Sequence, residues 1–329
     1  MQERIRIGLL SKKRGNYKLQ EKFAGINNVE DLTSIEVMHH KNSLIRAGYD
    51  VKVIEWNSSF IDQVNNAHVD LFFNVSSLAE VAILNDLGVP FVGSGITGVV
   101  LASDKSVAKR LWQQIGLPTS EFRVIRNVSD CKEFISKPPF TYPLFIKPVA
   151  GRGSSGISND SIIENNGQFV KNVEKLLKTI GQPVLIEKYL SGREITIGVI
   201  GNNENIRTLP ILEIKYLHGV NALTFYKKEK EDDTFICPAE LTDKENELIR
   251  AIAIQAYKTL GLRDFARIDT KLTPDGPMLL EANSFAGLMC TPKDKPFSYL
   301  GFMARAEGKG GKELINEIIE VALERINYQ

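Results

Sequence analysis

Two short runs in the last third of the chain carry the residue types best suited to chemistry: Phe265–Leu272, with Arg267 and Asp269, and Met278–Asn283, with Glu281 and Asn283. Both runs alternate, and Pro274-Asp275-Gly276 between them is a turn signal, so the pair reads as a β-hairpin. Strand side chains alternate faces, which puts Arg267 and Asp269 on one face and Ala266, Ile268 and Thr270 on the other. Glu281 and Asn283 likewise share a face, with Leu280 and Ala282 opposite. A three-residue loop over Pro274–Gly276 sets Asp269 across from Glu281 and Arg267 across from Asn283. Two carboxylates and an amide oxygen then converge beside one guanidinium, a set of hard oxygen donors that suits Mg²⁺. The plainer reading is a solvated polar sheet face with cross-strand ion pairs. Against it, like charges placed directly opposite each other are unfavourable without a cation.

Three other features point towards phosphate. Lys147 ends an apolar strand and precedes Gly151-Arg-Gly-Ser-Ser-Gly156, whose backbone N–H groups, around Gly153, Ser154 and Ser155, can face an anion. The loop is neither a Walker A motif nor a dinucleotide fingerprint, and by itself it reads equally well as a flexible surface loop. The strand Val184–Leu190 ends in Glu187-Lys188, offering backbone groups to an adenine edge, and Glu194 just beyond it can accept from ribose hydroxyls. Lys105 lies in the first turn of a helix, where it opposes the helix dipole; an anionic ligand or simple solvation would each account for it.

The elements that must hold these residues follow from the same pattern. Strands at Ile5–Leu10, Val51–Ile54, Leu71–Val75 and Val89–Val92 alternate with helices at about 33–47 and 78–87, which predicts a parallel α/β layer. Gly93-Ser94-Gly95 marks a joint. Ser103 or Asp104 caps the next helix, whose apolar stripe is Val107, Leu111 and Ile115. Strands then surround a polar helix near 168–179, and from Glu194 the alternation Ile195, Ile197, Val199 predicts an antiparallel sheet. Thr242 to Glu245 forms a capping box, and an amphipathic helix over 314–326 closes the chain. The polar segment 217–234 reads as a mobile loop.

The chain has 329 residues, which calls for more than one domain. Its 41 Lys plus Arg against 40 Asp plus Glu leave no electrostatic footprint for nucleic acid or an anionic membrane. No apolar run reaches the roughly 20 residues of a bilayer span. The first ten residues read as a strand rather than a signal peptide. Cys131, Cys237 and Cys290 fit neither a disulfide framework nor a zinc site, so a reducing cytoplasm is expected.

Taken in order, Lys105, Lys147 with its glycine loop, Glu187–Leu190 and Asp269/Glu281/Asn283 make the chain resemble the ATP-grasp superfamily, and within it the D-alanine–D-alanine ligases. Val92-Gly93-Ser94-Gly95, Asp104-Lys105, Ile186–Leu190, Ile236–Ala239, Arg267–Asp269 and Leu280–Asn283 carry the likeness. The resemblance implies an N-terminal parallel α/β pre-ATP-grasp domain (1–95) and two α+β subdomains (96–187 and 188–329) that clamp ATP. It implies a ligase that joins two small amino-acid-like substrates through an acyl phosphate, acting as a homodimer. Lys105 and Lys147 would contact phosphates under the Gly151–Gly156 loop. Glu187, with backbone at Lys188 and Leu190, would hold adenine, and Glu194 ribose. Asp269, Glu281 and Asn283 would bind two Mg²⁺ or Mn²⁺ ions, and Arg267 would steady the oxyanion. Segment 217–234 is the candidate lid.

The substrate half departs from the family. No clean counterpart of its N-terminal Glu-Val-Ser exists, Glu36-Val37 being badly spaced. Its His-Gly after Phe72-Phe73-Asn74 becomes Val75-Ser76-Ser77. Its loop Tyr-Glu-Ala-Lys-Tyr reads Lys228–Asp232 after Phe225-Tyr226, and its Ser-Leu pair falls on Pro292-Lys293. Substrates other than two D-alanines are therefore expected. A D-alanine–D-alanine ligase with unusual recognition residues and a non-catalytic ATP sensor are the alternatives. A dinucleotide oxidoreductase is disfavoured because Ser11–Gly15 holds no glycine fingerprint.

Overall fold

A computed structural model of the chain describes residues 4–11, 34–74, 77–151, 156–216, 233–291 and 297–327. In the first layer β1 (Arg6–Ser11), β2 (Asp50–Glu55), β3 (Leu71–Phe73) and β4 (Phe91–Val92) form a parallel sheet in the order β2-β1-β3-β4. Helices α1 (Ser34–Ala47), α2 (Phe60–Asn65) and α3 (Leu78–Asp86) connect its strands. Strand β3 ends at Phe73, two residues short of the sequence expectation, and α2 was not foreseen.

Two helices follow in close succession. The first, α4 (Ile96–Ser103), is apolar without a helical period and escaped the sequence reading. Asp104 then caps α5 (Lys105–Gln114), its carboxylate accepting from the N–H groups of Ser106 and Val107. The face of α5 that turns inward carries Lys105, Ala108, Lys109 and Trp112, while Ile115 is exposed. This corrects the expected stripe of Val107, Leu111 and Ile115. The lysines are drawn in because carboxylates wait for them inside.

The middle sheet has the order β5-β8-β6-β7, built from β5 (Phe122–Ile125), β6 (Leu144–Pro148), β7 (Ile162–Ile163) and β8 (Val184–Lys188). Helices α6 (Val128–Ser136) and α7 (Asn166–Ile180) cover it over a core that includes Leu144, Phe169, Val173 and Ile186. The central sheet runs β12-β11-β9-β13-β14 with β10 on β9, from β9 (Arg193–Ile200), β10 (Arg207–Thr208), β11 (Leu212–Tyr216), β12 (Asp233–Ile236), β13 (Phe265–Thr273) and β14 (Gly276–Asn283). Strand β9 is buried on both faces over most of its length, so its alternation understated its burial. The last two residues of the expected lid, Asp233 and Thr234, belong to β12; residues 217–232 lie outside the described residues.

Below the central sheet lies α8 (Asp243–Thr259), opened by the expected Thr242/Glu245 capping box, and its core takes in Trp112, Ile197, Tyr257, Ile268 and Leu279. The helices α9 (Tyr299–Ala306) and α10 (Gly311–Asn327) return to the first layer: Leu300, Met303, Leu314 and Ile318 share a core with Ile7, Leu9 and Phe73. The C-terminal helix therefore packs on the N-terminal sheet. Among the described residues no helix is long and apolar enough to cross a membrane.

Candidate active site

The hairpin sets the site. The register pairs Arg267 with Asn283 and Asp269 with Glu281, as the alternation required, but by another route. The turn has two residues, because Thr273 pairs with Gly276, and an irregularity after Asp269 leaves Leu280 as one extra residue. A two-residue turn and a bulge together reproduce the pairing of a three-residue loop. The bulge also puts Leu279, rather than Leu280, into the core beside Ala282.

On the open face Arg267 grips Asp269 through two bonds, Nε to Oδ1 and Nη2 to Oδ2, each 2.8 Å. The Asn283 amide donates to Asp269 Oδ2 at 2.9 Å, and the Thr196 hydroxyl of β9 donates to Oδ1 at 2.5 Å. Burial disfavours the charge on Arg267, but Asp269 outweighs it and holds the guanidinium well above its usual range. The Arg267 guanidinium also lies 5.0 Å from the centre of the Tyr299 ring.

Lys105 approaches from α5. Its ammonium donates to the carbonyl of Gly151 at 2.8 Å and lies 3.5 Å from Glu281 Oε2. Burial lowers the Lys105 ammonium below the ordinary lysine value, and the pull of Glu281 only partly offsets this. Together Lys105, Gly151, Glu281 and Asn283 line an open cleft. The glycine loop leaves β6 at this cleft. Its far root, Gly156, sits at φ +75° with Pro148 where a Cβ would lie, so only glycine fits there. Residues 152–155, with the expected phosphate contacts Gly153, Ser154 and Ser155, lie outside the described residues.

Behind the cleft is a buried charge network that the sequence reading missed in part. Glu187 on β8 is 3% exposed and takes Lys109 and Lys147 on its two oxygens, both at 2.7 Å; the Ser120 hydroxyl donates to it as well. Burial alone would raise the Glu187 carboxyl, but Lys109 and Lys147 hold it down to about 2. One carboxylate cannot fully satisfy two buried ammoniums. Burial takes Lys109 down to about 8, while Lys147, which also faces Glu281 and Glu194, stays above the usual lysine range despite its own burial. Lys109 further donates to Thr119 and to the carbonyl of Leu279, which ties the hairpin to the middle sheet. The spacing of four between Lys105 and Lys109 was the available signal, since it puts both on one helix face.

The other expected residues fall as follows. Lys188 is exposed at the end of β8 and its N–H donates to the carbonyl of Glu121, while Leu190 is half-buried two residues on. Glu194 on β9 stands opposite Lys271 on β13, with Lys271 Nζ 3.4 Å from Glu194 Oε2. Lys271 continues the period-two series Arg267, Asp269 and was also overlooked. The Glu187 carboxylate serves the two lysines from the same strand that carries Lys188.

A family model described as D-ala D-ala ligase C-terminus matches residues 111–320. The D-alanine–D-alanine ligase of Cupriavidus metallidurans is 31% identical over 242 residues, covering 73% of this chain and 70% of that protein. The crystal structure of D-alanine–D-alanine ligase from Bacillus anthracis complexed with ATP superposes with a TM-score of 0.74 at 21% identity, over 97% of this chain and 98% of that one. The VanG D-Ala:D-Ser ligase from Enterococcus faecalis gives 0.74 at 18% identity, over 97% and 100%. By its family model and its similarity to curated relatives, the chain belongs to the D-alanine–D-alanine ligase family, ATP-grasp enzymes that form carbon–nitrogen bonds.

Proposed function

We propose that this protein phosphorylates the carboxylate of one small amino-acid-like substrate with ATP and joins the resulting acyl group to the amine of a second, the pair not being two D-alanines. The observation that carries this reading is the cleft that Lys105, Glu281 and Asn283 line at the root of the glycine loop, with Asp269 bonded to Asn283 and Arg267 bonded to Asp269 beside it. Phosphoryl transfer needs neutralised charge and in-line positioning more than covalent chemistry, and these side chains supply both. Lys105 and Lys147 lie close enough to the cleft to neutralise phosphate charge, and Arg267 is held rigidly for an oxyanion. The N–H of Lys188 is committed to Glu121, which leaves its carbonyl and the Leu190 N–H as the adenine edge.

The metal fit rests on donor chemistry. Among the described residues no three His, Cys, Asp or Glu side chains gather as ligands. The hairpin instead offers two carboxylates and an amide, Asp269, Glu281 and Asn283, which suits Mg²⁺ carrying water and phosphate oxygens. Bound there, the metal would neutralise phosphate charge. Arg267 and Lys105 lie against the two carboxylates, and their charges compensate the like-charge pair.

Substrate divergence is supported by the first layer. Beyond β3 the chain presents Asn74, Ser77 and Glu80 rather than an imidazole, and the histidines of α1 are engaged elsewhere. His40 is enclosed against Phe73, and His39 Nε2 accepts from the Cys290 N–H. Pro292 and Lys293 lie outside the described residues. A homodimer in the cytoplasm is the proposed setting, which sedimentation and fractionation would check. The test of the function is phosphate release with D-alanine alone against single and paired D- and L-amino acids and hydroxy acids. The reading predicts that another pair gives the highest kcat/KM. Fastest turnover with D-alanine alone, yielding D-alanyl-D-alanine by mass spectrometry, would restore the plain family activity.

A further inference from the structure

The Glu194–Lys271 pair joins a buried lysine to a half-buried carboxylate where a solvated pair would serve stability equally well. Lys271 is 6% exposed, lies two residues from Asp269 on the same strand face, and meets Glu194 directly across the β9/β13 ladder. A buried ion pair contributes little net stability, because desolvation consumes most of the attraction. Glu194 is also close enough to Lys147 and to Tyr189 for its charge to raise the pKa of each. The carboxylate therefore has Lys271 beside it and Tyr189, in the segment after β8, within electrostatic reach.

We propose that Lys271 is a positioning residue of the nucleotide site: its ammonium fixes the Glu194 carboxylate so that it accepts from the ribose hydroxyls, and so sets selectivity for a ribonucleotide over a deoxyribonucleotide. The inference rests on the reading of Glu194 as the ribose acceptor. An unrestrained glutamate side chain samples several rotamers, and only some aim its oxygens at a bound sugar. The lysine, anchored on a central strand, removes that freedom and offsets the carboxylate's repulsion of a triphosphate. A methionine of similar length would preserve the packing of the lysine stem and remove the ammonium.

Calorimetric dissociation constants of ATP, 2′-deoxyATP and 3′-deoxyATP with Mg²⁺ test it, using the whole chain and its Glu194→Gln, Lys271→Met, Lys271→Arg and doubly substituted Glu194→Gln/Lys271→Met variants. Wild type should prefer ATP by roughly tenfold or more, the worth of a hydrogen bond to a charged group. Glu194→Gln and Lys271→Met should each bring that ratio close to one, and the double variant should add nothing further. Lys271→Arg should recover part of the preference. The ratio is read within one preparation, so partial misfolding of a variant does not imitate the effect. A lost preference in Glu194→Gln with the wild-type ratio kept in Lys271→Met would overturn this inference alone. The wild-type ratio kept in Glu194→Gln would overturn the ribose reading and this inference with it.

Discussion

Glu187 shows how a single buried carboxylate can organise the lysines behind a cleft. It fixes Lys147 on β6 and Lys109 on α5, and Lys109 in turn reaches the hairpin backbone at Leu279. Folded, the carboxyl is held at about 2, against an ordinary value of 4.5. A carboxyl lowered by folding stabilises the protein fully above the unfolded value and loses that contribution as pH falls through the folded one. Near neutral pH, Glu187→Gln should cost about 3–5 kcal/mol, because it leaves two buried ammoniums without their partner. The gap between wild type and variant should shrink as pH drops from about 4.5 towards 2. Urea midpoints of both proteins at steps down to pH 3 would check this, and a gap that stayed constant would contradict it.

At the scale of elements, α9 meets the loop after β14 with no room between them. A Cβ at Gly301 would lie 2.0 Å from the carbonyl oxygen of Met289, and the same loop is held by Ser298 and His39. Gly301→Ala should therefore destabilise by about 1–3 kcal/mol through overpacking. Denaturant midpoints of the variant and wild type would check this, and an unchanged midpoint would contradict it. The hairpin was legible in the sequence because alternation and turn residues are local signals. Its bulge at Leu280 was not, since an extra residue leaves the alternation readable in either register. The inward face of α5 was misread for a different reason: apolar pattern locates a helix's buried side only when the core is apolar, and here the core presents Glu187 and Glu281. Helix α4 is apolar throughout and carries no period to read. The charged pairs Lys109–Glu187 and Lys271–Glu194 join separate elements, and no local spacing announces such pairs.

The whole molecule is held by ties that run between distant parts of the chain. Asp264, fully buried just before β13, accepts from the Gly93 N–H, from Asn202 and from both Nε and Nη2 of Arg325. Arg325 also donates to the carbonyl of Phe91, so one carboxylate links the N-terminal sheet, the central sheet and the C-terminal helix. Asp264→Asn should cost about 3 kcal/mol or more, since it leaves a largely buried guanidinium uncompensated. Removing the exposed Arg6–Asp70 pair should cost less than about 1 kcal/mol. Denaturant midpoints of the two variants compare them directly, and equal losses would contradict the role given to Asp264.

The clamp assembled by these ties has one central task in this account, the transfer of phosphate from ATP to a carboxylate. Supplying the protein with ATP, Mg²⁺ and a pool of D- and L-amino acids labelled with ¹⁸O in their carboxyl groups tests that task directly. The account predicts ADP and inorganic phosphate carrying one ¹⁸O for each amide bond formed, because the carboxylate oxygen that attacks phosphorus leaves with it. Unlabelled phosphate, or AMP with pyrophosphate, would contradict it.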